Sequence, residues 1–186
     1  MLKQGIVIIG LGPAGASYLT REAWDTLLAC EELYLRTAFH PVVSELPDTL
    51  RVHSFDHLYE DYEQLDEVLD AIVNELVQLA KRPQGLCYGV PGSPFIADET
   101  VSRVIKVLEE SDIPVRVIDG LSYIEPLCSA LGIDLLPQTA IFFRVSNPID
   151  IEKGSPSDLG RNSAFTFIGR LAPEKGGAVF AEAARL

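Results

Sequence analysis

Residues 5–10 read GIVIIG, a run of four consecutive β-branched side chains closed on each side by glycine. Side chains alternate sides along a strand, so this run is apolar on both faces and needs cover on both. Helices supply that cover when strands are parallel, because each crossover between parallel strands usually carries one. The run therefore asks for an α/β chain: a mainly parallel sheet with helices on both faces.

The remaining pattern agrees. Helical spacing runs over 21–32, where Trp24, Leu27 and Leu28 share a side, and short strands are expected at 33–37 (LYLRT) and 50–55 (LRVHSF). A long helix is expected over 61–82, with Leu65, Val68, Leu69, Ile72, Leu76 and Leu79 at three- and four-residue steps. GLCYGV (85–90) is a strand, 97–111 a helix, 114–119 a strand, and 122–132 a short helix stopped by Gly132. Such alternation predicts a Rossmann-like three-layer sandwich, in which ligands bind beyond the carboxyl ends of the strands. Three loops leave the sheet at that edge: GLGPAG (10–15), GVPGSP (89–94) and DGLSY (119–123).

Glycine at a strand-to-helix turn permits positive φ and lets the backbone approach a ligand closely. Gly10, Gly12 and Gly15 satisfy the G-x-G-x-x-G spacing of a dinucleotide site. Pro13 nevertheless removes a donor where a pyrophosphate needs one, and Arg36 rather than an acidic residue stands near the end of the second strand. A plain tight turn would also explain this loop taken alone. GVPGSP is rigid and wide, with prolines that fix φ and remove donors. It suits a flat or zwitterionic ligand held by a few backbone groups.

Charge narrows the partners. Asp and Glu number 27 against 15 Lys and Arg, a formal net charge of −12, which disfavours nucleic acid and anionic membranes as partners. The three cysteines, Cys30, Cys87 and Cys128, show no C-x-x-C spacing and read as buried thiols in a reducing compartment. No secretory signal and no membrane-length apolar stretch is visible, so a cytoplasmic location is expected. His40, His53 and His57 have no metal-ligand spacing, and no metal is expected; His40 does follow the second strand with Arg36 and Pro41, near the ligand edge.

Five stretches, VIIGLGPAGASYLT, LRTAFHPVVSELP, SFDHLYEDYEQLDEVLDAIVNEL, YGVPGSPFIADETV and DGLSYIEPLCSALGID, together resemble the tetrapyrrole (corrin/porphyrin) methylase family over about residues 4–136. The resemblance is nearest to the methylase-like domain fused to MazG-type nucleoside triphosphate pyrophosphohydrolases. It implies an S-adenosylmethionine site at the sheet's carboxyl edge. Leu11 and Gly12 in GLG, Gly92, Ser93 and Ile96 in GSPFI, and Ser122 and Tyr123 in LSY match the cofactor-binding positions; no catalytic residue is implied. The family's first motif usually reads G-P-G-D, where this chain has Ala14 and Gly15. Its second loop often carries G-D-P, where this chain has Ser93.

The tail differs. Residues 145–186, and FIGRLAPEKG above all, resemble the start of the C-terminal domain of GT-B glycosyltransferases, which implies diphosphate contacts for Arg170 and Lys175. Two domains are therefore expected, 1–136 methylase-like and 137–186 a strand, loop, strand and helix packing onto the same sheet, with a natural or engineered join near 136–146. In place of the methylase second domain this leaves a shallower cleft, formed by the three loops, with weak or no methyl transfer. The alternatives are a composite structural protein without activity and, less favoured, a fragment that binds a sugar nucleotide. A small molecule is the expected ligand, and a homodimer the expected assembly.

Overall fold

All five residues of the first strand, β1 (Ile6–Gly10), are buried, as a run apolar on both faces requires. The computed structural model describes residues 4–132. After β1 come α1 (Arg21–Ala29), β2 (Glu32–Leu35), β3 (Arg51–Ser54), α2 (Leu58–Asp61), α3 (Leu65–Ala80), β4 (Leu86–Val90), α4 (Glu99–Glu110), β5 (Val115–Ile118) and α5 (Ile124–Leu131). Short 3₁₀ turns stand at Ala16–Tyr18 and Pro41–Glu45.

The five strands form one sheet in the order β3-β2-β4-β1-β5, and every pairing is parallel. β4 thus lies between β1 and β2, with Ile8 opposite Tyr88 and Tyr34 opposite the same tyrosine. Alternation divides the core into two layers. Ile6, Ile8, Leu86, Tyr88 and Val90 face Val68, Ile72 and Leu76 of α3 and Val101, Val104 and Leu108 of α4. Val7, Ile9, Leu33, Leu35 and Cys87 face Ala23 and Leu27 of α1, together with Val42. A Rossmann-like α/β sandwich is what the sequence predicts and what the chain forms.

Two boundaries differ from expectation. The helix expected over 61–82 begins only at Leu65, because Tyr62 and Gln64 are extended (ψ 140° and 133°), and the short helix α2 before them was not expected. Phe55 and Leu58 bury beside the α3 face, so the chain must bend before that helix begins. The helix expected over 21–32 stops at Ala29, because Cys30 leaves with ψ 143° and Glu32 already belongs to β2. The expected strand at 140–145, the segment 137–186 and the join near 136–146 lie outside the described residues, as do Arg170 and Lys175.

Candidate functional site

β1 and β4 are neighbours whose outgoing chains diverge, one to α1 on the first face and one to α4 on the other. Such a divergence leaves a crevice at the carboxyl edge, where open α/β sheets bind ligands. Here the two outgoing loops are joined. Gly12 donates its N–H to the Gly92 carbonyl at 3.2 Å, and Gly92 returns the bond to the Gly12 carbonyl at 2.7 Å. Both have φ +71°, a left-handed conformation that glycine adopts without strain.

The third loop presses against the other two. A Cβ on Gly10 would stand 2.5 Å from the Gly120 nitrogen and 2.8 Å from the Gly92 carbonyl oxygen, so three backbones meet there with no room for a side chain. Gly92 is the exception, since the atom nearest its Cβ position is the Leu121 carbonyl oxygen at 3.9 Å. Gly92 thus has room for a methyl group beside Leu121 where Gly10 and Gly120 have none. The three loops converge as the sequence predicts.

Side chains hold this arrangement from several elements. The Thr20 hydroxyl donates to the Asp119 carbonyl at 3.1 Å and accepts the Ala23 N–H at 3.1 Å, so one residue caps α1 and ties it to the third loop. His40 accepts the Val42 N–H at Nδ1, which leaves Nε2 as the donor to the Gly12 carbonyl at 3.0 Å. Burial pushes its imidazole below the ordinary value, only partly opposed by the Gly12 carbonyl, so His40 acts here as a neutral donor. On the far side Arg36 pairs with Asp98 at 2.9 Å, and that carboxylate caps α4 through the Thr100 N–H at 2.9 Å. The Thr100 hydroxyl also meets the buried Tyr88 hydroxyl at 2.8 Å, and Arg36 donates to Tyr59 at 3.0 Å. Burial disfavours the Arg36 charge, but Asp98 together with Tyr59 and Tyr88 outweighs it and raises the guanidinium pKa.

The residues expected to touch a ligand divide into groups. Gly12, Gly92 and Ser93 lie at the convergence, with Ser93 half-buried. Leu11 is fully buried in the core beneath it, so only its backbone is available. Ile96 is half-buried and donates its N–H to the Ser93 carbonyl at 3.1 Å, which closes the second loop. Ser122 is 1% exposed, and its hydroxyl donates to Glu125 at 2.5 Å while accepting the Ile124 N–H at 3.0 Å. That hydroxyl, with backbone N–H groups of Ser122 and Glu125, holds the Glu125 carboxyl below its usual range. Ser122 thus starts α5 in the manner of a capping box, and Tyr123 beside it is half-buried.

Sequence spacing did not reveal Thr20, Glu45 or Asp98. Glu45 is the informative one. Its carboxylate accepts the Ala16 N–H at 3.0 Å and fills the ground that a side chain at Gly15 would need. The amide that a dinucleotide pyrophosphate would use is therefore already bound to an anion. A 3₁₀ turn also intervenes before α1, so no α-helix N-terminus opens on Gly15. The loop disfavours phosphate and favours a neutral or cationic group.

A family model described as tetrapyrrole (corrin/porphyrin) methylases matches residues 5–168. The match runs through the expected join at 136–146 and ends before Arg170 and Lys175. Over 130 residues the chain is 33% identical to the uncharacterised protein YabN of Bacillus subtilis (strain 168), covering 69% of this chain and 26% of that protein. Among solved structures, uroporphyrin-III C-methyltransferase from Thermus thermophilus superposes with a TM-score of 0.55 at 24% identity, over 72% of this chain and 55% of that one. A cobalt precorrin-4 methyltransferase gives 0.51 at 13% identity, over 70% and 52%. Diphthine synthase gives 0.51 at 20% identity, over 69% and 49%. These structural likenesses show a shared fold, and the chain spans about half the length of each solved relative and about a quarter of YabN.

Proposed function

Because the chain belongs to the tetrapyrrole (corrin/porphyrin) methylase family, we propose that its three-loop convergence binds S-adenosylmethionine and serves a methyltransferase. The observation that carries this reading is the meeting of the three loops at the carboxyl edge, where Gly12 and Gly92 pair and Gly92 alone keeps room for added atoms. Gly92, Ser93 and Leu121 would hold the adenosyl group, with Gly12 fixed beneath them by His40. The Glu45 carboxylate, which reaches from the Pro41–Glu45 turn to the Ala16 N–H after the first loop, suits a cationic ligand better than a phosphate. When bound, the cofactor supplies an activated methyl on a sulfonium. The protein's part is to bind, orient and exclude water.

The same reading makes the partner a small molecule, with neither nucleic acid nor membrane, and places the chain in the cytoplasm as a homodimer. Among the described residues no helix is long and apolar enough to cross a membrane. Titration calorimetry with S-adenosylhomocysteine and S-adenosylmethionine tests the proposal. We expect single-site binding, weaker by at least tenfold in Gly92→Ala, whose new methyl takes up the room beside Leu121. Absence of heat at millimolar ligand overturns it.

A second reading rests on one observation: the family match covers only the first two residues of FIGRLAPEKG (167–176), although it includes 145–166 before them. That motif would then bind a sugar nucleotide through Arg170 and Lys175 in a composite chain. Binding of UDP-sugar or GDP-sugar that disappears in Lys175→Ala would support it, and no binding would remove it.

A further inference from the structure

The cysteines at positions 30 and 87 are 57 residues apart in sequence, yet their sulfurs are 2.6 Å apart in the core. Cys30 ends α1 and Cys87 lies on β4, between Val7 of β1 and Leu33 of β2. Spacing alone gave three unrelated buried thiols; the fold pairs two of them, and the third, Cys128, is half-buried elsewhere. We propose that Cys30 and Cys87 form a dithiol that a small hydroperoxide oxidises to an intramolecular disulfide.

Three observations support the step. The sulfurs already stand closer than van der Waals contact, so bond formation needs little backbone movement. The pair is polarised: the hydrogen bond to Cys87 draws the Cys30 thiol below its ordinary pKa, and the same contact with burial pushes Cys87 up. Cys30 is therefore the more readily ionised of the two and serves as the attacking thiol, with Cys87 as the resolving one. An open depression on the flank of α1, lined by Val7, Arg21, Asp25, Thr26, Cys87 and Arg116, reaches the pair on its Cys87 side, where the Cys30 sulfur is in contact. A small hydroperoxide can enter this depression and approach the sulfur pair.

The chemistry balances without another reactant. The Cys30 thiolate attacks one peroxide oxygen, the O–O bond breaks, and the departing alkoxide takes a proton to leave as an alcohol. The resulting Cys30 sulfenic acid is attacked by the Cys87 sulfur. An S–S bond forms, the S–O bond breaks, and the hydroxyl leaves as water with the Cys87 proton. Two thiols are oxidised and one hydroperoxide is reduced to alcohol and water.

Oxidation of the full chain with hydrogen peroxide tests the assignment. Intact mass should fall by about 2 Da, two hydrogens lost per disulfide, and thiols titrated in denaturant should drop from three to one. Peptide mapping should join Cys30 to Cys87. The melting midpoint should rise by about 10 °C on oxidation and return with dithiothreitol, because the bond closes a long loop. Cys30→Ala and Cys87→Ala should each lose the mass change, while Cys128→Ala should keep it. Because the unmodified chain gives the primary reading, unfolding of either core variant leaves the test intact. Three thiols surviving peroxide, a gain of two oxygens on Cys30, or a bridge through Cys128 would each overturn the proposal.

Discussion

Gly10 and Gly92 are glycines for different reasons, and substitution should separate them. At Gly10 a Cβ meets backbone of Gly120 and Gly92, which a rotamer change cannot relieve. Gly10→Ala should therefore destabilise the fold by about 3 kcal/mol, the upper range for overpacking, read from urea midpoints. At Gly92 the space is open and only the positive φ opposes a side chain, so Gly92→Ala should lose about 1 kcal/mol. His40 makes a pH test. Its folded pKa is lowered, so above the unfolded value both states are neutral and its contribution is intact. As pH falls through about 6.5, the unfolded chain takes a proton that the native chain resists, and stability declines until the folded pKa is passed. Stability of the native chain should fall between pH 7 and 5, and His40→Gln should flatten that part of the profile. A persistent slope in the variant would assign it to other groups. Removing the guanidinium in Arg36→Met should lower stability by about 3 kcal/mol by stranding a buried carboxylate, whereas Tyr88→Phe should cost about 1 kcal/mol. The glycines were legible because their spacing after apolar runs has few uses. His40 was visible only as a neighbour of the ligand edge, and Glu45 not at all, because their reach depends on where the 3₁₀ turn at Pro41–Glu45 sets them.

Elements were legible where the apolar period was long or the run wholly apolar. β1, β4 and α4 follow directly from such patterns, and Gly132 ends α5 with φ +64° as expected of a left-handed cap. The break between α2 and α3 was hidden because Tyr62, Glu63 and Gln64 include neither glycine nor proline. Tertiary burial of Phe55 and Leu58 makes that bend, and single-chain periodicity does not register it. The strands also differ in security. β1 and β4 are buried along their length, while Arg51, Val52 and His53 of the edge strand β3 are exposed and pair with β2 alone. Amide exchange followed by mass spectrometry should therefore show β3 exchanging at least tenfold faster than β1 or β4. Equal protection of all five strands would mean that the sheet opens only as a unit.

At the scale of the whole molecule, strand order was the least legible property, because nothing local says which strand lies between which. That order sets a further expectation. A cut at the exposed bend near residue 63 yields two pieces, and the first holds β1, β2 and β3 without the strand that joins β1 to β2. The piece 1–63 should show no cooperative unfolding by circular dichroism, and mixing it with 64–186 should restore the transition. A folded 1–63 would show that the central strand is dispensable. Synthesis imposes the same wait on the intact chain. After Leu35 leaves the ribosome, 50 positions (36–85) pass before Leu86 begins the missing partner, roughly 3–10 seconds at cellular elongation rates. Through that interval the flanks of β1 and β2 that β4 will occupy have no native neighbour, and β1 is apolar throughout while β2 carries Leu33 and Leu35. The nascent chain is thus an open template for strand pairing with its own copies, and crowded polysomes making this protein should depend on chaperones that hold extended apolar segments.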